Sequence, residues 1–444
     1  MTHKAKRGSM KKSLTEVITE DEFRKLAQEH SRNFFKIYTY LHTHKKPLPR
    51  RFYAHLIEES EELESFLDDH CARDNKNWYF FVEIVACIRN LSKVAFILKH
   101  ILYRYLAYEL YEDEAEKFFQ ETKKASMFID KTILSLYQEM RRESKRLGMV
   151  MPKGRLKEDF FSEIYPQKRL PYTMNEEEGF TAQKIVAGIA TQYHRVIEKW
   201  EFFQWNLGKV QLGALKDMIP DAINEERSRE VITLIHNLES SYDHYIKRTP
   251  LESQDEGLKR FRGYISLPLH LVDAINWLSH MYQRHIHTAI QRGGSSGISH
   301  IINKTRILDI MVNFALFYAN RYLQTGKGLA DDILGRYIKI GACELRVPQK
   351  LGFHLRPATL VARIAAYYGT RLCLMVDGQE YDASSVLSIT MAGGLISRKG
   401  HRKVVFVGDE RALRDLKRLS EFNYGEDERG NRIALPPDLS HLWT

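Results

Sequence analysis

Gly352-Phe353-His354-Leu355-Arg356-Pro357-Ala358-Thr359 is the stretch on which the reading of this chain turns. A histidine stands there between the end of one apolar segment and the start of a helix. At the N-cap position it faces the free backbone amides of the first turn, here those of Leu355 and Arg356, at the positive end of the helix dipole. An anion is favoured in such a place. A phosphoryl group on an imidazole nitrogen would accept from those amides while the Arg356 side chain neutralises its charge. Pro357 is harmless in the first turn, where its missing N–H would have had no partner. His354 and Arg356 are therefore the candidate catalytic residues, and the Leu355 and Arg356 amides the candidate phosphate-binding backbone.

The surrounding pattern differs from the rest of the chain. After Gly341 the apolar period becomes two: Cys343, Leu345 and Val347 alternate with other residues, Arg371 to Val376 reads as a strand, Asp377-Gly378 as a hairpin turn and Val404 to Val407 as another strand. Three helical patterns lie between and after them, at Pro357 to Tyr368, Ser385 to Met391 and Glu410 to Leu419. Strands interleaved with helices on one face describe a small α+β sandwich over residues 341–421, followed by a tail, 422–444.

The motif Gly352-Phe353-His354-Leu355-Arg356-Pro357-Ala358 resembles the phosphorylation site of HPr, the histidine-containing phosphocarrier protein of the phosphoenolpyruvate-dependent sugar phosphotransferase system. A second block agrees with it: Asp377-Gly378 followed by Ser384-Ser385-Val386-Leu387-Ser388-Ile389 is similar to the family's turn and regulatory-serine segment. The resemblance covers residues 342–419, and it implies an open-faced sandwich, phosphorylation on Nδ1 of His354, an Enzyme I-like phosphoryl donor and a downstream acceptor. It further implies Ser385 as a regulatory phosphosite at a helix N-cap, with Val386, Leu387 and Thr390 as docking positions; a plain capping serine and ordinary core packing of Val386 and Leu387 remain the alternatives. No metal or organic cofactor is required within the chain. Two residues depart from the family pattern: Phe353 replaces an aliphatic residue, and Leu355 stands where a small residue is usual, so that it narrows access to the histidine or suits a different partner.

Upstream, the pattern is helical. Thr19-Glu20-Asp21-Glu22 is a candidate capping box. Val94, Ile97, Leu98, Ile101, Tyr105 and Tyr108, then Phe128, Ile133, Leu136, Tyr137 and Met140, recur at three- and four-residue steps, and Pro47-Leu48-Pro49 marks a loop. We expect a basic tail at 1–13, a helical domain at 14–148, a proline-bearing linker at 149–180 and a second helical segment at 181–340. Within the last, a break is expected near Pro250 to Gly257, and Gly326-Lys327-Gly328 is read as the start of the passage to the sandwich. The fold class is multidomain, all-α followed by small α+β. The helical region, several times larger than a carrier needs, supports a second reading: a regulator or scaffold whose helices bind a protein or nucleic acid, with the small domain as sensor or docking module.

Other motifs carry less. Gly293-Gly294-Ser295-Ser296-Gly297-Ile298-Ser299-His300 reads as a loop followed by a helix capped by Ser299, because its spacing departs by two residues from the Gly-Gly-x-x-Ser-His phosphohistidine loop. His280, His285 and His287, near Asp273, contain no i, i+4 histidine pair for a metal and read as scattered surface and groove residues. Arg262-Gly263-Tyr264 is too short for an RNA-binding sheet.

The 444 residues carry 67 basic and 57 acidic side chains, a net charge of +10. Because both signs are spread along the whole chain, the charge reads as solvated helix surface, which argues against a dedicated nucleic-acid patch. Cys71, Cys87, Cys343 and Cys373 form no Cys-x-x-Cys pair, as expected for reduced thiols in a cytoplasmic protein. The basic N-terminus is followed by no apolar core, so neither a secretory signal nor an anchor is expected. Membrane insertion is not expected either, since the richest apolar run, Ile307 to Leu323, is broken by Asp309, Asn313, Asn320 and Arg321.

Overall fold

The structure is a computed structural model and describes residues 17–43, 47–110, 112–154, 156, 161, 179–205, 207–287 and 297–442. The basic tail at 1–13, most of the linker at 149–180 and the Gly293–Ser296 loop lie outside the described residues. The chain is mostly helical, with one four-stranded antiparallel sheet near the C-terminus. It divides into two compact units. The first comprises Met1–Leu102, Glu121–Tyr165 and Trp277–Leu308, the second Tyr103–Gln120, Pro166–Asn276 and Asp309–Thr444.

The first unit is built from helices α1 (Glu20–His30), α2 (Arg32–Thr43), α3 (Arg50–Asp69), α4 (Tyr79–Arg104) and most of α5 (Glu112–Arg146). The capping box forms as read: Glu22 N–H donates to the Thr19 hydroxyl at 3.3 Å while Thr19 N–H donates to the Glu22 carboxylate at 2.8 Å. Helix α4 is buried on almost every side, which explains its near-continuous apolar sequence. It stops at Arg104; Tyr105 and Tyr108, read as the continuation of its stripe, sit in a 3₁₀ turn. Aromatic pairs fill the interior, among them Phe23 against Trp78 at 4.6 Å and Phe34 against Tyr137 at 5.0 Å. A charged cluster lies within the same unit: Glu64 pairs with Arg89 at 2.6 Å, and Glu83 with Arg73 at 3.0 Å and His285 at 2.9 Å. His285, read as a surface or groove residue, is buried, held by that carboxylate on a π-helical turn, Tyr282–His287. Ser299, read as a helix cap, lies inside a 3₁₀ turn, Ile298–His300.

The second unit holds α6 (Gly179–Phe202), α7 (Glu225–Tyr245), α8 (Glu256–Met281, to Asn276 in this unit) and α9 (Phe317–Tyr337). The expected break is at Asp255, between a short helix, Pro250–Gln254, and α8. Gly326-Lys327-Gly328 does not end a helix, since α9 runs on to Tyr337. Gly326 is small for packing: a Cβ there would sit 2.1 Å from the Tyr193 hydroxyl, which donates to the Tyr264 carbonyl at 3.2 Å. Gly263 serves the same purpose, with the Tyr108 carbonyl 2.2 Å from where its Cβ would be.

Two residues after α9 the sheet begins. Strands β1 (Ile340–Arg346), β2 (Leu372–Val376), β3 (Gln379–Asp382) and β4 (Lys403–Asp409) are ordered β1-β4-β2-β3, all antiparallel, with Cys343 opposite Phe406 and Leu374 opposite both Phe406 and Tyr381. Asp377 and Gly378 both have positive φ, 52° and 80°, as the two-residue hairpin requires. Helices α10 (Leu355–Tyr368), α11 (Val386–Lys399) and α12 (Glu410–Glu421) share one core cluster with the sheet face bearing Leu345, Leu372, Leu374, Val376, Val404 and Phe406. Residues 422–442, read as a tail, also enter this core through Tyr424, Leu435 and Leu439.

No helix among the described residues is long and apolar enough to cross a membrane. The four cysteines are free thiols.

Candidate functional site

The segment from β1 to α10 is pinned at three points. Val347 N–H donates to the Arg402 carbonyl at 3.0 Å, extending the strand pairing, and Gln349 N–H donates to the Asn423 side chain at 3.0 Å. Phe353 is buried, with ring contacts to Phe406 at 6.0 Å and Tyr424 at 5.1 Å. An aromatic residue at this position is thus accommodated by a second aromatic from the C-terminal stretch. Gly352 takes the left-handed conformation, φ 60°, so the chain can reverse before the helix. On the other side, α11 approaches so closely that a Cβ on Gly393 would lie 2.5 Å from the Phe353 carbonyl oxygen.

His354 is the N-cap of α10, in extended backbone geometry, and its side chain makes no capping bond. Its own N–H donates to the Gly352 carbonyl at 2.8 Å and its carbonyl accepts from Ala358 at 3.1 Å. The Leu355 and Arg356 N–H groups have no acceptor among the described residues, and Pro357 has no N–H to satisfy. The first turn of α10 therefore presents two unused donors directly after the His354 N-cap.

The imidazole is turned toward a carboxylate instead. Its Nε2 lies 3.0 and 3.1 Å from the two oxygens of Glu426, whose side chain is only 1% exposed. Arg356 Nη1 donates to the same carboxylate at 2.7 Å and to the Gly430 carbonyl at 3.0 Å. A buried carboxylate is thus compensated by two cationic or proton-bearing neighbours, as burial of such a charge demands. In the neutral ring, a carboxylate facing Nε2 places the proton on that nitrogen and leaves the lone pair on Nδ1. Nδ1 has no partner among the described residues.

Glu426 is delivered by a turn of uncommon geometry. Asn423, Tyr424 and Gly425 all have positive φ, 45°, 55° and 78°. Two of the three are not glycine, so the turn is held against its own preference by its surroundings. The buried Tyr424 hydroxyl donates to the Arg346 carbonyl at 2.9 Å, and the Asn423 amide donates to the Glu426 carbonyl at 3.1 Å. Beyond Glu426, Asp427 closes a small loop by accepting from Asn431 N–H at 2.7 Å and Arg429 N–H at 2.8 Å; those bonds hold its carboxyl below the usual range.

The remaining sequence candidates are placed as follows. Ser385 is the N-cap of α11 and its hydroxyl accepts from Ser388 N–H at 3.2 Å. No hydrogen bond or ion pair joins it to His354. Val386 packs partly against the core and the Thr390 hydroxyl donates to its own helix, at the Val386 carbonyl, whereas Leu387 is exposed. Leu355 projects to the surface, 69% exposed, and with Leu351, Leu387 and Met391 belongs to the exposed apolar side chains of this domain. No group of three or more His, Cys, Asp or Glu among the described residues is placed to hold a metal ion.

Sequence reasoning missed Glu426, because nothing in a single acidic residue distinguishes it from a solvated one. A signal was nonetheless present: Asn423, Gly425 and Gly430 are turn formers, and Tyr424, Leu435 and Leu439 are apolar residues that a tail does not need. Comparison with known proteins adds nothing to this geometry, since no family model, curated protein or solved structure matches the chain.

Proposed function

We propose that residues 341–442 form an HPr-like phosphocarrier or phosphotransfer-regulatory domain in which His354 accepts a phosphoryl group from a phosphohistidine donor. The observation that carries this reading is the shared carboxylate of Glu426, which engages Nε2 of His354 and Nη1 of Arg356 and leaves Nδ1 without a partner among the described residues. The sheet order, with three helices on one face, supports the open-faced sandwich implied by the motif.

The step is written as an in-line transfer. The Nδ1 lone pair attacks phosphorus, the N–P bond of the donor breaks, and its electron pair returns to the donor imidazole. The bond to phosphorus makes the His354 ring electron-poor, and Glu426 stabilises it through the Nε2 proton, as an orienting carboxylate does for a histidine in other catalytic settings. The Leu355 and Arg356 amides and the remaining guanidinium donors of Arg356 receive the phosphoryl oxygens. Little else is required, because phosphoryl transfer is governed by positioning and charge.

Incubation of the full chain with Enzyme I, radiolabelled phosphoenolpyruvate and magnesium is expected to give an acid-labile label that His354→Ala abolishes. No label on the wild type, or an undiminished label on the variant, would sink the reading.

The sensor reading has its own support. The small domain clusters in one compact unit with α6 to α9, and only Ile338 and Lys339 separate α9 from β1. A carrier that must leave its donor and meet an acceptor gains nothing from that attachment, whereas a domain whose phosphorylation state is read by neighbouring helices does. Label that forms on His354 but passes to no sugar-specific acceptor favours this second role.

A further inference from the structure

Within the first unit, the part of α5 from Glu121 to Arg146 has nine exposed positions, and seven of them are Lys or Arg, with Met127 and Gln138 the exceptions. None is acidic. The carboxylates of this stretch are turned inward or engaged: Asp130 pairs with Lys99 at 2.9 Å, Glu139 with Arg142 at 2.7 Å and the buried Glu143 with Arg146 at 2.6 Å. Lys124, Lys131, Arg141 and Lys145 have no carboxylate partner among the described residues. These four therefore carry positive charge along the helix without local compensation, whereas Arg142 and Arg146 are paired within it, contrary to the even spread suggested by composition.

Geometry makes this a continuous face. Residues seven apart on an α-helix drift by only about 20°, so Lys124, Lys131 and Lys145 drift by about 60° in all, stay on one side and span about 31 Å of axis. Meanwhile α3 of the same unit exposes Glu58, Glu61, Glu62, Asp68 and Asp69. With Arg51 as the one exposed base of α3, the exposed side chains of α3 are mainly acidic and those of Glu121 to Arg146 basic.

We infer that this face of α5 binds the phosphate backbone of a nucleic acid. The choice of occupant follows from charge complementarity and from what the face lacks. A protein interface is built on an apolar or aromatic centre with charged residues depleted, whereas here Met127 is the sole large exposed apolar side chain of the stretch. An interfacial membrane helix needs a free apolar face, but the apolar side of this one, with Ile129, Ile133, Leu136 and Met140, is buried in the unit. A regular polyanion needs only extended positive charge, and long lysine side chains adapt to its spacing. The inference stands independently of the His354 site.

The test uses the full chain and fluorescence anisotropy with a labelled 20-nucleotide single-stranded RNA and a 20-base-pair DNA duplex, at salt concentrations from 50 to 200 mM. Binding is expected to weaken with salt. The combined variant Lys124→Gln, Lys131→Gln, Arg141→Gln, Lys145→Gln should reduce the slope of log K against log salt by about 3 to 4 and lower affinity at least about tenfold. A control that removes the same charge from exposed positions elsewhere, Lys216→Gln, Lys259→Gln, Arg402→Gln, Lys417→Gln, should retain both. The tighter of the two probes names the kind of nucleic acid. Equal loss in the control, absence of salt-dependent binding to either probe, or binding to phosphatidylserine vesicles instead of nucleic acid would each overturn the inference.

Discussion

At the scale of single residues, the candidate site is centred on a buried carboxylate. Glu426 is nearly inaccessible, and its two partners are partly exposed, His354 at 29% and Arg356 at 44%. That asymmetry separates its chemical role from its structural one. On replacement of Glu426 by Gln, the guanidinium and imidazole can both rehydrate, so the expected loss of stability is modest, about 1–2 kcal/mol. The loss in transfer should be larger, because the amide is neutral and no longer stabilises the electron-poor ring; we expect the rate of labelling at saturating donor to fall by about ten- to a hundredfold. Donor binding should be little affected, since Glu426 is buried beneath the imidazole. Rapid-quench labelling across donor concentrations distinguishes the two: a purely structural residue would raise the half-saturating concentration and leave the maximal rate intact.

At the scale of elements, the placement of His354 depends on contacts made through glycine. Helix α11 can lie against the Phe353 carbonyl only because Gly393 has no Cβ, and a methyl at 2.5 Å from that oxygen must displace one or the other. Gly393→Ala is expected to lower stability by about 1–3 kcal/mol, measured as the urea midpoint, through overpacking of the loop that carries the histidine. An unchanged midpoint would show that α11 can slide away without penalty. The contrast between what was legible here and what was not has a physical basis. The capping box at Thr19, the hairpin at Asp377-Gly378 and the helix start at His354 are local devices, written in adjacent residues, and each forms. The reading failed where a residue's role is set by something distant in sequence. Gly326 looks like a helix breaker but is a seat for Tyr193; Tyr105 and Tyr108 continue an apolar stripe but lie beyond the end of α4; Glu426 looks like tail and is the centre of the site. Periodicity reports which face is apolar, not which distant side chain will press against it.

At the scale of the whole molecule, the unit that holds His354 is tied to acid-sensitive groups far from it in sequence. His270, on α8, is desolvated and faces Arg262 and Arg104, and its pKa is pushed down from 6.5 to about 4. Between those values the unfolded chain binds a proton that the folded chain excludes, so stability rises with pH across the window and is lost as pH falls through it. The effect is bounded at about 3 kcal/mol. Asp243 contributes in a lower window. Burial raises its pKa, but hydrogen bonds and charge from Arg262, at 2.7 Å, and Lys247 outweigh this, and the net direction is down from 3.8. Its stabilisation is present above 3.8 and disappears as pH falls below it. Acid unfolding of the second unit should therefore proceed in two steps, and His270→Gln should flatten the first, between pH 6.5 and 4, while leaving the second. Urea midpoints at half-unit pH intervals would show this; equal pH dependence of wild type and variant between 6.5 and 4 would place the proton elsewhere.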